Sequence, residues 1–170
     1  TPDGTRAYAV GRKWGTVDVI DLSTGTCMLA IPTGLGASSV LARITVRPDG
    51  EQAWVTSVQQ GSIAVIDTDP GSPTYNSQIG QVSTGLSGLG KTTFSADGTR
   101  AWVAAGHWGS TPATHQVLVV DADPASGTYL QVVSTVSVDP NPWSVLPLDA
   151  PPTLAWVSSW DQNTPGGGAV

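Results

Sequence analysis

At 170 residues, 39% hydrophobic and only 12% charged, the chain is long enough for one globular domain with a sizeable core. A net charge of −6, with no basic cluster larger than Arg12-Lys13, excludes a phosphate-gripping nucleic-acid binder, and no stretch approaches the roughly 20 apolar residues that span a bilayer. With 20 Gly, 13 Pro and no sustained helical stripe, the composition points to short strands and tight turns and almost no helix.

The first predicted unit starts in mid-motif at Thr1, so a trimmed or truncated product is expected. Its turn, Pro2-Asp3-Gly4, leads to a short strand opened by Tyr8. Thirteen residues after Tyr8 comes Asp21, closing the strand Val17 to Asp21, and Cys27 to Ile31 supplies the next strand. Cys27 is the only cysteine, so an internal disulfide is impossible, and it reads as a small buried hydrophobe. The second unit adds a leading strand, Arg43 to Val46, before its turn Pro48-Asp49-Gly50. Trp54 then opens a strand, Asp67 closes the following one thirteen residues later, and Ile79 to Val82 comes last. The third unit has Lys91 to Ser95, the turn Ala96-Asp97-Gly98, Trp102, then Asp121 six residues late because the segment from Gly106 to His115 is longer, and Val132 to Val136. The fourth begins with Ser144 to Leu148 and departs from the pattern, Asp149-Ala150-Pro151-Pro152 standing where the Asp-Gly turn should be, before Trp156-Val157-Ser158-Ser159.

Steps of 46, 48 and 52 residues between Asp3, Asp49, Asp97 and Asp149 fit one four-stranded unit per repeat, the period of β-propeller blades. Asp-Gly suits the hairpins because Gly accepts positive φ and Asp can bond the turn backbone. The turns Pro2-Asp3-Gly4-Thr5-Arg6-Ala7-Tyr8, Pro48-Asp49-Gly50-Glu51-Gln52-Ala53-Trp54 and Ala96-Asp97-Gly98-Thr99-Arg100-Ala101-Trp102, with the later Val-Ile-Asp runs, resemble the YVTN family of β-propeller repeats. The expected fold is all-β, an incomplete propeller of four-stranded antiparallel blades from a ring of seven. The blades fall at 1–34 (strands b to d, lettered outward from the axis), 35–85, 86–139 and, in part, 140–170. The remaining blades would come from the same polypeptide or another chain.

In such a ring the d–a and b–c loops share the rim around the channel mouth, and the a–b and c–d turns share the other. Ten of the acids, including Asp3, Asp49, Glu51, Asp97 and Asp121, fall on the turn rim, where hairpin and strand-end hydrogen bonding accounts for them. Asp139 and Asp161, with Asp18 as a weaker third, are the acids placed for the loop rim, and nothing pairs them for acid/base work. His107 and His115 flank one long loop and could share a metal only with a third ligand; otherwise they are exposed or loop-packing histidines. No catalytic residue, metal or cofactor is therefore assigned. The strand-opening aromatics Tyr8, Trp54, Trp102 and Trp156 read as core.

The loop rim instead collects Trp14, Trp108, Trp143 and Trp160 with Arg43, Lys91 and His107. Trp14 and Trp108 each stand six residues after the strand-opening aromatic, and Trp143 stands six before Asp149, the slot of Arg43 and Lys91. Trp and Arg are the anchors expected of a binding face, although repeated Trp also pack between blades. The reading is a non-catalytic binding or scaffold module facing a protein or glycan. The resemblance implies export to the cell surface or extracellular space (periplasm in a Gram-negative cell). Two alternatives stand beside it: a lactonase-like or lyase-like enzyme with most active residues outside this segment, and a propeller subunit of a redox complex.

Overall fold

Alternation of small or branched apolar residues with polar ones, punctuated by Asp-Gly turns, builds antiparallel meanders rather than helices. The computed structural model describes residues 1–37, 39–106, 115–147 and 155–159. The first sheet holds β1 (Arg6–Gly11), β2 (Thr16–Asp21) and β3 (Thr26–Pro32). The second holds β4 (Leu41–Val46), β5 (Gln52–Ser57), β6 (Ser62–Asp67) and β7 (Gln78–Ser83). The third holds β8 (Thr92–Phe94), β9 (Arg100–Ala105), β10 (Gln116–Asp121) and β11 (Val132–Ser137), and the last pairs β12 (Pro142–Pro147) with β13 (Ala155–Ser159). Each sheet is a strict antiparallel meander, and no helix occurs among the described residues.

The repeat is visible in the register. Tyr8 lies opposite Val19, Trp54 opposite Val65 and Trp102 opposite Val119, so one aromatic–valine pair recurs in three sheets. A register shift recurs one position further along, at Val19/Ile20, Val65/Ile66 and Val119/Val120, where the third strand meets the outermost one. Such bulges increase twist and turn the outer strand away from the sheet plane.

Successive sheets pack face to face, and three apolar layers lie between them. Val17, Val19 and Ile31 of the first sheet meet Ala53, Val55, Ala64 and Ile66 of the second. The opposite face of the second sheet, Trp54, Ile63 and Val65, meets Phe94, Val103, Leu118 and Val120 of the third. Ala104 and Val117 then meet Val145 of the fourth, with Trp102 and Val157 at the margin. Both faces of the second sheet are thus covered, and every residue of β5 and β6 is buried.

Position in the stack decides which repeat residues are core. Trp54 is fully buried, but Tyr8 and Trp102 are half-buried and Trp156 is 62% exposed. The expectation that all four aromatics are core is corrected on this point: Trp156 belongs to the last sheet, where no further layer covers it. Cys27, expected to be buried, is exposed because β3 is the outer strand of its sheet and shows most of its residues to solvent.

The hairpin turns use one device three times. A carboxylate oxygen of Asp3, Asp49 and Asp97 accepts the backbone N–H two residues on, from Thr5 (3.1 Å), Glu51 (3.0 Å) and Thr99 (3.0 Å). The opposite rim is held by threonines after the outer strands. Thr33 and Thr84 each donate backbone N–H and hydroxyl to the carbonyl of Gly15 and Gly61, at 2.7 to 2.9 Å. Gly61 has φ +59°, and a Cβ there would stand 2.3 Å from the Leu86 carbonyl oxygen. Gly61→Ala is therefore expected to cost about 2 kcal/mol, read as a lower urea midpoint at unchanged m-value; an unchanged midpoint would refute this loop contact.

Candidate functional site

Strands β4, β8 and β12 lead their sheets and lie next to one another, with the Thr45 hydroxyl donating to the Thr92 carbonyl at 2.9 Å. Each is entered through a residue at positive φ: Val40 at 48°, Gly88 at 71° and Asn141 at 57°. A bulge follows at Leu41/Arg43 and at Pro142/Ser144. These kinked entries and the loops after β1 and β5 enclose a cavity of about 370 Å³, lined by Arg12, Val40, Leu41, Arg43, Gln59, Leu89 and Trp143 among others. Leu41 and Leu89 are almost completely buried and form its apolar floor.

The decisive polar feature is a stacked pair. The Arg43 guanidinium carbon lies 4.7 Å from the Trp143 ring centroid, and Nη1 donates to the Ala42 carbonyl at 3.1 Å. The ring's negative face orients the cation and lowers the cost of holding it at a partly desolvated site. Trp143 itself keeps 42% exposure.

Strand pairing changes the alignment behind this pair. Arg43 lies opposite Thr56 and Ser144 opposite Ser158, which makes Ser144 the counterpart of Arg43 and Trp143 the counterpart of Ala42 and Gly90. The last repeat carries additional residues between its first two strands, and counting back from Asp149 therefore misplaces Trp143 by one. Gly90 is small for a reason, since a Cβ there would stand 2.6 Å from the Trp143 carbonyl oxygen.

Of the residues assigned from sequence, the structure brings Arg43 and Trp143 together. Trp14 is 78% exposed on the β1–β2 loop and packs into no sheet interface. Lys91 is exposed, and its backbone N–H donates to the Trp143 carbonyl at 3.4 Å. Trp108, Trp160 and His107 lie outside the described residues, as do Asp149 and Asp161. His115 Nδ1 lies 3.0 Å from the Gly106 carbonyl and 3.4 Å from the Asn141 backbone N–H, and among the described residues no group of three or more His, Cys, Asp or Glu could hold a metal ion. Arg12 and Gln59 were not singled out from sequence. The available signal for Arg12 was its slot four residues after Tyr8, equivalent to Val58 after Trp54, which also lines the cavity.

No protein-family model matches this sequence, and neither does any curated protein. Solved structures do match. Hydrazine synthase of Kuenenia stuttgartiensis superposes with a TM-score of 0.74 at 18% identity over 96% of this chain, and a 6-phosphogluconolactonase-like protein of Bacteroides uniformis with 0.72 at 15% over 93%. The dihydro-heme d1 dehydrogenase NirN, in complex with DHE, superposes with 0.65 at 19% over 96%. The chain has the β-propeller fold. It spans 41%, 45% and 32% of those three chains, and no strand pairing joins its last sheet to its first, so the described residues form an open propeller arc. Its leading strands β4, β8 and β12 lie next to one another, and the cavity of Arg43 and Trp143 lies at their entries.

Proposed function

We propose that this segment is a non-catalytic binding module, part of a larger propeller that presents its channel mouth to a glycan. The Arg43–Trp143 pair over an apolar floor carries the reading. A concave site of about 370 Å³ suits a small ring, whereas a protein partner needs about 800 Å² of complementary surface on each side. The acids support the absence of local catalysis, since Asp3, Asp49, Asp67, Asp97 and Asp121 are engaged in turn and strand-end hydrogen bonds on the other rim. We assign the repeats to the YVTN type on their Pro-Asp-Gly turns and Val-Ile-Asp strands, with blades at 1–34, 35–85, 86–139 and 140–170 of a seven-bladed ring. The low lysine content beside much Thr, Ser and Gly favours export to the cell surface, with a protein as the alternative mouth partner.

The fold shared with the 6-phosphogluconolactonase-like protein favours one second reading, an enzyme whose reacting groups lie mostly beyond this segment. A glycan array separates the two. The intact chain is expected to be retained by a subset of glycans, with retention lost in Trp143→Ala and kept in Trp156→Ala. Retention of no glycan by the intact chain would remove the binding reading.

A further inference from the structure

The arginines divide sharply between the two rims. On the hairpin rim Arg6 pairs with Asp21 at 3.0 Å, Arg47 with Glu51 at 3.0 Å and Arg100 with Asp121 at 2.8 Å. At the mouth neither Arg12 nor Arg43 has a carboxylate within 4.0 Å among the described residues. A chain with net charge −6 thus places around one cavity two cations that have no counter-charge among the described residues. Of the N–H donors of Arg43, only one on Nη1 has a protein acceptor among the described residues, the Ala42 carbonyl. The planar fork lies over the Trp143 ring with its other donors unengaged among the described residues, the arrangement that recognises a carboxylate bidentately.

We infer that the mouth cavity binds a sugar acid of the hexuronate class, its carboxylate on Arg43 and Arg12 and its ring against Trp143; the inference rests on the glycan reading above. The volume admits one ring rather than an extended chain. A neutral sugar would use Trp143 but leave both guanidinium groups without a counter-charge. A simple inorganic anion would satisfy the guanidinium groups and leave the indole face and the floor of Leu41 and Leu89 uncovered. Only a ligand with an anionic head and a flat C–H-bearing body uses all of these, and the Gln59 amide adds a hydrogen-bonding group for ring hydroxyls.

Calorimetric titration of the full chain with D-glucuronate, D-glucose and inorganic phosphate at low ionic strength tests this. Glucuronate is expected to bind about tenfold or more tightly than either of the others, and to weaken as salt is added. Arg43→Gln and, independently, Arg12→Gln should each weaken glucuronate by about tenfold with an unchanged far-UV CD spectrum. Equal affinity for glucose and glucuronate, phosphate binding as tightly as glucuronate, or full glucuronate affinity in both arginine variants would overturn the sugar-acid assignment. Array retention of neutral glycans combined with any of these results would leave the binding module standing and remove only the acid specificity.

Discussion

Replacing Trp54 with alanine is expected to cost about 3 to 5 kcal/mol of folding free energy and to lower the melting temperature by about 10 °C. The indole is fully buried between the second and third sheets, its ring edge-on to Phe94 with centroids 5.2 Å apart. Its Nε1–H donates to the Gln52 side-chain carbonyl at 3.1 Å, so truncation also removes a satisfied buried donor and leaves the Gln52 oxygen without it. Ile63, Val65, Leu89 and Val103 belong to the same layer and would line the cavity, and strands buried on both faces relax little. Trp156→Ala removes an indole from the equivalent repeat position, yet its 62% exposure limits the expected loss to about 0.5 kcal/mol. Comparable losses in the two variants, measured by urea denaturation, would contradict the order in which the sheets stack.

The same pair of tryptophans shows what sequence alone conveys. Asp-Gly turns, aromatic strand openings and Asp-terminated strands report local backbone geometry, and they place strands, turns and the rim to which each loop belongs. Burial is different, because it depends on whether a neighbouring sheet is present: one motif gives a core residue at Trp54 and a surface residue at Trp156. Cys27 illustrates the same limit, since an apolar run reads alike in the outer and the middle strands of a sheet. Of the candidate site, Arg43 and Trp143 could be named from the sequence. Their contact could not, because it depends on the bulges at Leu41/Arg43 and Pro142/Ser144, which shift register without leaving a mark in residue spacing. Arg12 was hidden for a related reason: it comes from the first sheet and reaches a cavity whose other walls belong to the second, third and fourth.

Asp121→Ala is expected to destabilise the chain by about 3 kcal/mol at neutral pH, and by much less near pH 2. The carboxylate ends β10 and is almost entirely buried. It accepts the Ser126 and Thr128 hydroxyls, the Asp123 backbone N–H at 3.1 Å and an Arg100 N–H at 2.8 Å, so one side chain closes the 123–130 loop and joins it to β9. Burial alone would raise its pKa. The two hydroxyls, the backbone donor and the guanidinium outweigh that and lower it from 3.8 to about 2. Because the folded-state pKa lies below the unfolded one, the unfolded chain binds more protons between these values, and stability falls as pH drops from about 4 to about 2. Above pH 4 the carboxylate's contribution is fully present, and below about 2 it is gone. Asp67 makes the same Ser and Thr contacts and Asp3 is also held at about 2, so the wild-type chain should lose stability steeply across this interval. The alanine variant should show a shallower acid limb. Urea titrations at pH 7, 4 and 2.5 measure it directly, and an equal difference between wild type and variant at all three values would mean that this carboxylate does not hold the loop through its charge.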